Sequence, residues 1–400
     1  MLTALALFLV ATPILMFGYA YVGYPLLLKP LAALRRRGAS AAAPRAAADG
    51  AAAEWPTITI TLPVYNEERS IASAIDSLLA IDYPADRRQV LVISDCSSDR
   101  TDDIVRSYAD RGVELVRLAK RGGKTAAENA AGPAARGEII VNTDATTRIP
   151  KHALKELVRA FQDPTVGVAS GRDVSAANAS AAAGDGRGGE AGYVGYEMWV
   201  RSLETQVGSI VGASGCFYGI RRQIYDSTFP EALSRDFASA LLAREAGYRA
   251  VSVDAAICIV PRTSSLQAEF RRKIRTMARG LETLWYKRHL MNPATEGAFA
   301  FMLISHKLCR WLVYVTLPLA MLGLVILATQ SWIGAALLGL TALGALVGWA
   351  GLRMSAKKEL PSLIALPSFV FAANLAGLLA WVKVFRGQHN PVWEPTRRPV

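Results

Sequence analysis

Three aspartates stand where apolar runs stop, and their placement carries most of the chemistry legible in this sequence. Asp95 follows Val90-Leu91-Val92-Ile93-Ser94, Asp144 follows Ile139-Ile140-Val141-Asn142-Thr143, and Asp236 opens the helical stretch Phe237-Ala238-Ser239-Ala240-Leu241-Leu242. In an open parallel sheet, ligands bind in the crevice beyond the carboxyl ends of the strands. Carboxylates gathered there can accept hydrogen bonds from a nucleobase, hold a hard cation, or take a proton from a reacting hydroxyl. Between the first two lies Arg121-Gly122-Gly123-Lys124. Its glycines let the backbone approach a phosphate, and Lys124 adds positive charge at a helix start. The GxxxxGK[ST] spacing of a P-loop is missing, so a P-loop ATPase is not the reading. Upstream, Leu62-Pro63-Val64-Tyr65-Asn66-Glu67-Glu68 forms a strand-to-helix turn. Such a turn offers backbone N–H groups to an anion, and Tyr65 can cover a flat base. In the next turn, Ser94 to Thr101, Asp99 and Asp102 read as helix-cap or first-turn charges.

These residues need an alternating α/β frame to bring them together. Apolar runs at 57–62, 89–94, 113–118, 138–142, 166–170 and near 213–220 read as strands. Helical patterns over about 67–80, 101–111, 124–135, 150–162 and 190–207 intervene, which predicts an α/β, doubly wound, Rossmann-like domain. The Ala/Gly/Ser-rich residues 174–192 have little to pack with and are expected to form a mobile loop.

The domain is flanked by membrane segments. Residues 4–28 are almost wholly apolar and are followed by Lys29 and Arg35-Arg36-Arg37. The run exceeds the roughly 7–15 residues of a signal-peptide core, has no basic segment before it, and carries its charge after it. It reads as a retained anchor that leaves the following domain cytoplasmic. Residues 310–329, 332–352 and 364–385 each approach the roughly 20 apolar residues needed to span. The basic connector with Arg353, Lys357 and Lys358 belongs on the cytoplasmic side. Three spans would then place Lys383, Arg386, Arg397 and Arg398 outside, against the same bias, so one stretch is expected to be re-entrant or interfacial.

Residues 266–290 carry Phe270, Ile274, Met277, Leu281, Leu284 and Trp285 at helical spacing among Arg271, Arg272, Lys273, Arg275, Arg279, Lys287 and Arg288. That composition predicts a basic amphipathic helix in the headgroup plane; the plainer alternative is a surface helix packed on the core. The formal charge of +12 sits beside these segments, which favours a bilayer over nucleic acid as the partner. The four cysteines are scattered and read as reduced packing residues. The four histidines have no ligand spacing and read as surface or interfacial. The organisation expected is an anchor at 1–34, a linker at 35–55, the α/β domain at 56–262, the basic segment at 263–295, membrane segments at 296–388 and a tail at 389–400.

The ordered motifs resemble those of the family 2 glycosyltransferases of GT-A fold, especially the membrane-bound synthases of cellulose, hyaluronan and poly-N-acetylglucosamine. The resemblance rests on Pro63-Val64-Tyr65-Asn66-Glu67, Asp95-Cys96-Ser97-Ser98-Asp99-Arg100-Thr101, Gly122-Gly123-Lys124 with Asn129, Asp144-Ala145-Thr146, Gly212 to Arg222, Asp236 and the basic stretch Arg272 to Arg279. It implies that Asp95 and Tyr65 hold the uracil of a UDP-sugar, with Pro63, Glu67 and Lys124 nearby. It further implies that Asp144 meets a divalent cation, Mg²⁺ or Mn²⁺, and the donor diphosphate, and that Asp236 is the catalytic base. Arg272, Arg275 and Arg279 would face the acceptor and the diphosphate. Three positions depart from the family pattern. Thr146 replaces the second Asp of Asp-x-Asp, Arg235 replaces the Glu of Thr-Glu-Asp, and Thr276 stands where Gln-x-x-Arg-Trp has its Trp.

The function implied is a multi-pass inner-membrane, inverting glycosyltransferase with a cytoplasmic catalytic domain. It would pass sugar to a growing exopolysaccharide, for which several spans can line a channel, or to a polyprenyl-linked acceptor. A nucleotide-binding relative without activity, regulating a partner synthase, is the alternative from another class. The sequence does not identify an export partner.

Overall fold

The computed structural model describes residues 1–39, 55–175, 189–261, 265–355 and 361–388. Most of the expected linker, the core of the 174–192 segment, Lys357, Lys358 and the tail from 389 lie outside the described residues. The chain divides into two units, 28–262 with 390–400, and 1–27 with 263–389.

The first unit is built on a seven-stranded sheet in the order β3-β2-β1-β4-β6-β5-β7. Its strands are β1 Ile58–Val64, β2 Arg88–Ser94, β3 Val113–Arg117, β4 Ile139–Thr143, β5 Val166–Ser175, β6 Phe217–Arg221 and β7 Arg249–Val260. Strands β1, β2 and β4 are buried along nearly their whole length, so they are largely apolar, and the buried Thr59 and Thr61 hydroxyls donate to Gln89 and Asn142 of the neighbouring strands. The helices are α3 Ile71–Leu79, α4 Thr101–Arg106, α5 Lys124–Ala134, α6 Ala153–Arg159, α7 Gly189–Val207 and α8 Arg235–Glu245; α1 and α2 belong to the N-terminal run below. Pro63 tolerates its place in β1 because pairing with β4 ends at Thr61, so its missing N–H leaves no ladder bond unmade on that side.

The sheet departs from the sequence expectation in two ways. It is mixed: β6 runs antiparallel to both β4 and β5. Hydrophobic period reveals a strand, whereas its direction is set by the connection, here a crossover carrying α7. Strand β7 was not anticipated. It is a half-buried strand pairing with β5 through two register irregularities, so its apolar alternation is broken.

In the N-terminal run, α1 Leu2–Gly18 passes through a π-helical turn, Tyr19–Gly23, into α2 Tyr24–Ala39. Among the described residues, four helical runs are long and apolar enough to cross a membrane: Leu2–Arg35, Ala298–Ala328, Trp332–Met354 and Leu363–Phe385. The second begins well before the expected 310, and each of the last three has full spanning length. Large apolar side chains such as Leu340, Leu346 and Trp349 stand exposed, as lipid contact requires.

The basic segment forms one helix, α9 Leu266–Tyr286. Its Met277, Ala278 and Leu281 pack against Ala380, Trp381 and Val384 of the last span and against Trp311 and Tyr314. This part of the stripe is therefore covered by the neighbouring apolar spans, while Trp285 and Tyr286 remain exposed. His306 corrects the surface assignment. It lies buried in the π-helical turn Ile304–Leu308, with its ring 6.0 Å from that of Tyr24. Polar side chains in a span turn toward protein because lipid cannot satisfy them.

Candidate active site

The turns that follow β1 and β2 are locked together before any ligand is considered. Asn66 and Cys96 both have positive φ, 53° and 61°, unusual for residues with a side chain. Asn66 Oδ1 accepts from Ser98 N at 2.8 Å, and Glu67 N donates to Thr101 Oγ1 at 2.8 Å. Asp99 accepts from the N–H of Thr101 at 3.0 Å and of Glu68 at 3.1 Å, which fits the structural role expected of it. Asp102 is buried and ion-paired with Arg117. The Glu67 carboxylate bonds the Ser70 hydroxyl at the entrance to α3.

Asp95 is buried, and its carboxylate is bound by the glycine loop. Its two oxygens accept the backbone N–H groups of Gly122 at 2.7 Å and Gly123 at 2.8 Å. Gly123 has φ of 90°, so only glycine takes this position without strain, and it delivers the chain into the first residue of α5. Tyr65 meets Arg121, whose guanidinium lies 3.8 Å from the ring centroid and occupies one face of it. A base would stack on the remaining face or on the guanidinium itself.

Lys124 organises the next layer. Its Nζ donates to Asp144 Oδ1 at 2.5 Å and to the carbonyl of Gly215 at 2.9 Å, with Glu128 at 4.0 Å. Burial opposes its charge, but Asp144, Glu128 and Asp236 outweigh burial and raise its pKa above the usual lysine value. Burial raises the Glu128 carboxyl, with Lys124 and Arg235 pulling it back. Asp236 sits in the first turn of α8, accepting from Phe237 N at 2.9 Å and from the Ser234 hydroxyl. Its Oδ2 overhangs Gly215 so closely that a Cβ there would meet it at 2.5 Å. Asp144, Lys124, Gly215 and Asp236 thus form one cluster, at the carboxyl end of β4.

Of the expected site residues, Asp95, Lys124, Asp144 and Asp236 come together through these contacts, and Tyr65 joins through Arg121. Arg272, Arg275 and Arg279 lie on α9, in the other unit, where Arg272 pairs with Glu269 at 2.7 Å. The sequence assigns no separate role to Gly215 or Arg121 and does not reveal that Glu128 and Arg235 meet as a buried pair, with side chains each 2% exposed. The one available signal was Glu128 four residues after Lys124 in an otherwise alanine-rich helix.

For a metal, Asp144 is the one acidic side chain of the Asp144-Ala145-Thr146 element. Among the described residues no three His, Cys, Asp or Glu side chains converge on a cation position. Mg²⁺-type ions are commonly held by one or two carboxylates together with substrate phosphates. The donor set therefore fits a cation that arrives with a diphosphate.

A family model described as "Glycosyl transferase family 2" matches residues 59–229. The beta-monoglucosyldiacylglycerol synthase of Synechocystis sp. is 30% identical over 190 residues, 46% of this chain and 39% of that protein. The chain thus matches well under half of that relative's length. An N-acetylglucosaminyltransferase of Bradyrhizobium elkanii is 30% identical over 124 residues, 30% of this chain and 68% of that protein. Among solved structures, the mannosyltransferase PcManGT from Pyrobaculum calidifontis, in complex with GDP-Man and Mn²⁺, aligns with a TM-score of 0.72 at 23% identity. That alignment covers 97% of this chain and 100% of the other, and it establishes a shared fold.

Proposed function

Because this chain belongs to the family 2 glycosyltransferases and has their GT-A fold, we propose that it transfers one sugar, with inversion, from a nucleotide-sugar to a lipid acceptor at the membrane. The observation that carries this reading is the contact chain from Asp144 through Lys124 and Gly215 to Asp236. It joins a cationic group suited to a diphosphate to a carboxylate suited to a base. Asp236 takes the proton of the acceptor hydroxyl as the acceptor oxygen bonds to the sugar C1. The opposite C1–O bond breaks, and the nucleoside diphosphate leaves with the bonding electrons. Lys124 stabilises the charge that develops on the diphosphate, from a site where it costs no rearrangement. Asp95 and Tyr65, with Arg121, hold the base. Asp144 would hold a divalent cation, which would supply Lewis acidity to the departing diphosphate.

The acceptor we favour differs from the polymer expected on the sequence resemblance. Thr276 stands where the processive pattern has Trp, and the Synechocystis relative is named a beta-monoglucosyldiacylglycerol synthase. The four apolar helical runs suit a lipid substrate and a multi-pass inner-membrane location with the α/β domain in the cytoplasm. The test is a panel of labelled UDP-glucose, UDP-GlcNAc and GDP-mannose with membrane lipids and the purified protein. Label in a small organic-extractable product supports the reading. Label in a polymer restores the polysaccharide assignment. EDTA should slow the reaction, and chelation without effect removes the metal from it.

A further inference from the structure

We propose that Glu128 and Arg235 form a transposed ion pair that positions Asp236, with the acid missing from Ser234-Arg235-Asp236 supplied by α5. Arg235 replaces the Glu of the resembling motif, yet it does not point to solvent. Its Nε lies 3.9 Å from Glu128 Oε2, and both side chains are 2% exposed. Charges persist at that depth only with partners. The Arg235 guanidinium also bonds Asn129 Oδ1 and the carbonyl of Asp226, and packs over the rings of Tyr225 at 4.5 Å and Phe229 at 5.4 Å.

The same face of α5 grips the rest of this loop. Thr125 Oγ1 donates to Leu233 O at 2.9 Å, Asn129 Nδ2 to Phe229 O at 2.7 Å, and Tyr225 donates to the carbonyl of Glu128 at 2.6 Å. Successive helix residues point about 100° apart. With Arg235 held inward by its bonds to Asn129 and Asp226 and by the charge of Glu128, its neighbour Asp236 is turned to overhang Gly215. The helix that places Lys124 on Asp144 thereby also sets the direction of Asp236. Glu128 and Arg235 are positioning residues; neither needs to touch substrate.

This inference rests on Asp236 acting as base, so Asp236→Asn is measured beside the pair variants on the full chain in detergent. The assay uses whichever of UDP-glucose, UDP-GlcNAc and GDP-mannose turns over fastest, with nucleotide affinity measured for the matching UDP or GDP. Glu128→Gln and Arg235→Gln are each expected to lower kcat about tenfold or more, with nucleotide Kd within about twofold of wild type. Arg235→Lys, which keeps the charge without the planar fork, should fall between wild type and Arg235→Gln. Single variants with wild-type kcat overturn the pairing. So does a loss of kcat matched by an equal loss of nucleotide affinity, or an Arg235→Lys no better than Arg235→Gln. An active Asp236→Asn would instead overturn the base assignment beneath it.

Discussion

Gly215 lies under the carboxylate of Asp236, so close that a single methyl group on its α-carbon would meet Oδ2 at 2.5 Å. The carbonyl of this glycine also receives Lys124 at 2.9 Å. One residue without a side chain thus brings the candidate base beside the cation. Gly215→Ala should displace Asp236 while leaving the sheet intact. Misplacement by about 1 Å costs about 10²-fold in rate. Turnover of the variant against its nucleotide affinity checks this, with loss expected in kcat alone.

Asp95 supports the glycine loop with both carboxylate oxygens. Asparagine offers one acceptor oxygen, so Asp95→Asn should lose one charge-assisted bond, worth about 1.5–3 kcal/mol. Because the loop leads into Lys124, nucleotide affinity should fall as well, with or without metal. Calorimetric titration with UDP and GDP, beside a denaturant melt, measures both effects.

How much of this was legible follows from what sets each feature. The apolar runs of β1, β2 and β4 are buried on both faces, so they and the aspartates that close β2 and β4 could be read directly. Strand β7 lacks that signal because its pairing is irregular and half exposed. The role of Asp236 came from motif resemblance, but its contact with Gly215 depends on the packing of α8 on the turn before β6. Arg235 read as a lost acid. Only the fold shows that Glu128, over a hundred positions earlier in the chain, lies beside it. His306 read as interfacial because sequence spacing cannot show which side of a span meets protein.

Lys124 should also leave a pH signature. Its folded pKa is raised above the unfolded value of about 10.4, so its ion pairs contribute stability that is complete below that pH. The contribution is lost as pH rises through the folded pKa. Lys124→Gln should therefore be less stable than wild type at neutral pH, with the deficit that Lys124 itself carries shrinking only above about pH 10.4. Denaturant melts of both proteins across that range test the sign. A deficit that vanishes by neutral pH would contradict it.

On the basic helix α9, the motif resemblance implies a role in turnover for Arg275, whereas Lys287 follows the last residue of the helix and lies 5.3 Å from the Tyr286 ring. Arg275→Ala should lower turnover, and Lys287→Ala should change little beyond lipid contact. Lys at position 275 should rescue only in part, because it lacks the planar fork. Kinetics in vesicles of two anionic-lipid contents check this. Equal small losses that scale with lipid charge would reduce the segment to an anchor.

The central claim is that Asp236 deprotonates an acceptor on this chain. The most direct measurement is transfer of label from a nucleotide-sugar into a membrane-lipid product by purified wild-type protein and by Asp236→Asn. Product is expected from the wild type and a rate lower by about 10²–10⁴-fold in the variant, with UDP or GDP bound equally by both. Equal rates in the two proteins, or no transfer by the wild type from any donor of the panel, would contradict it.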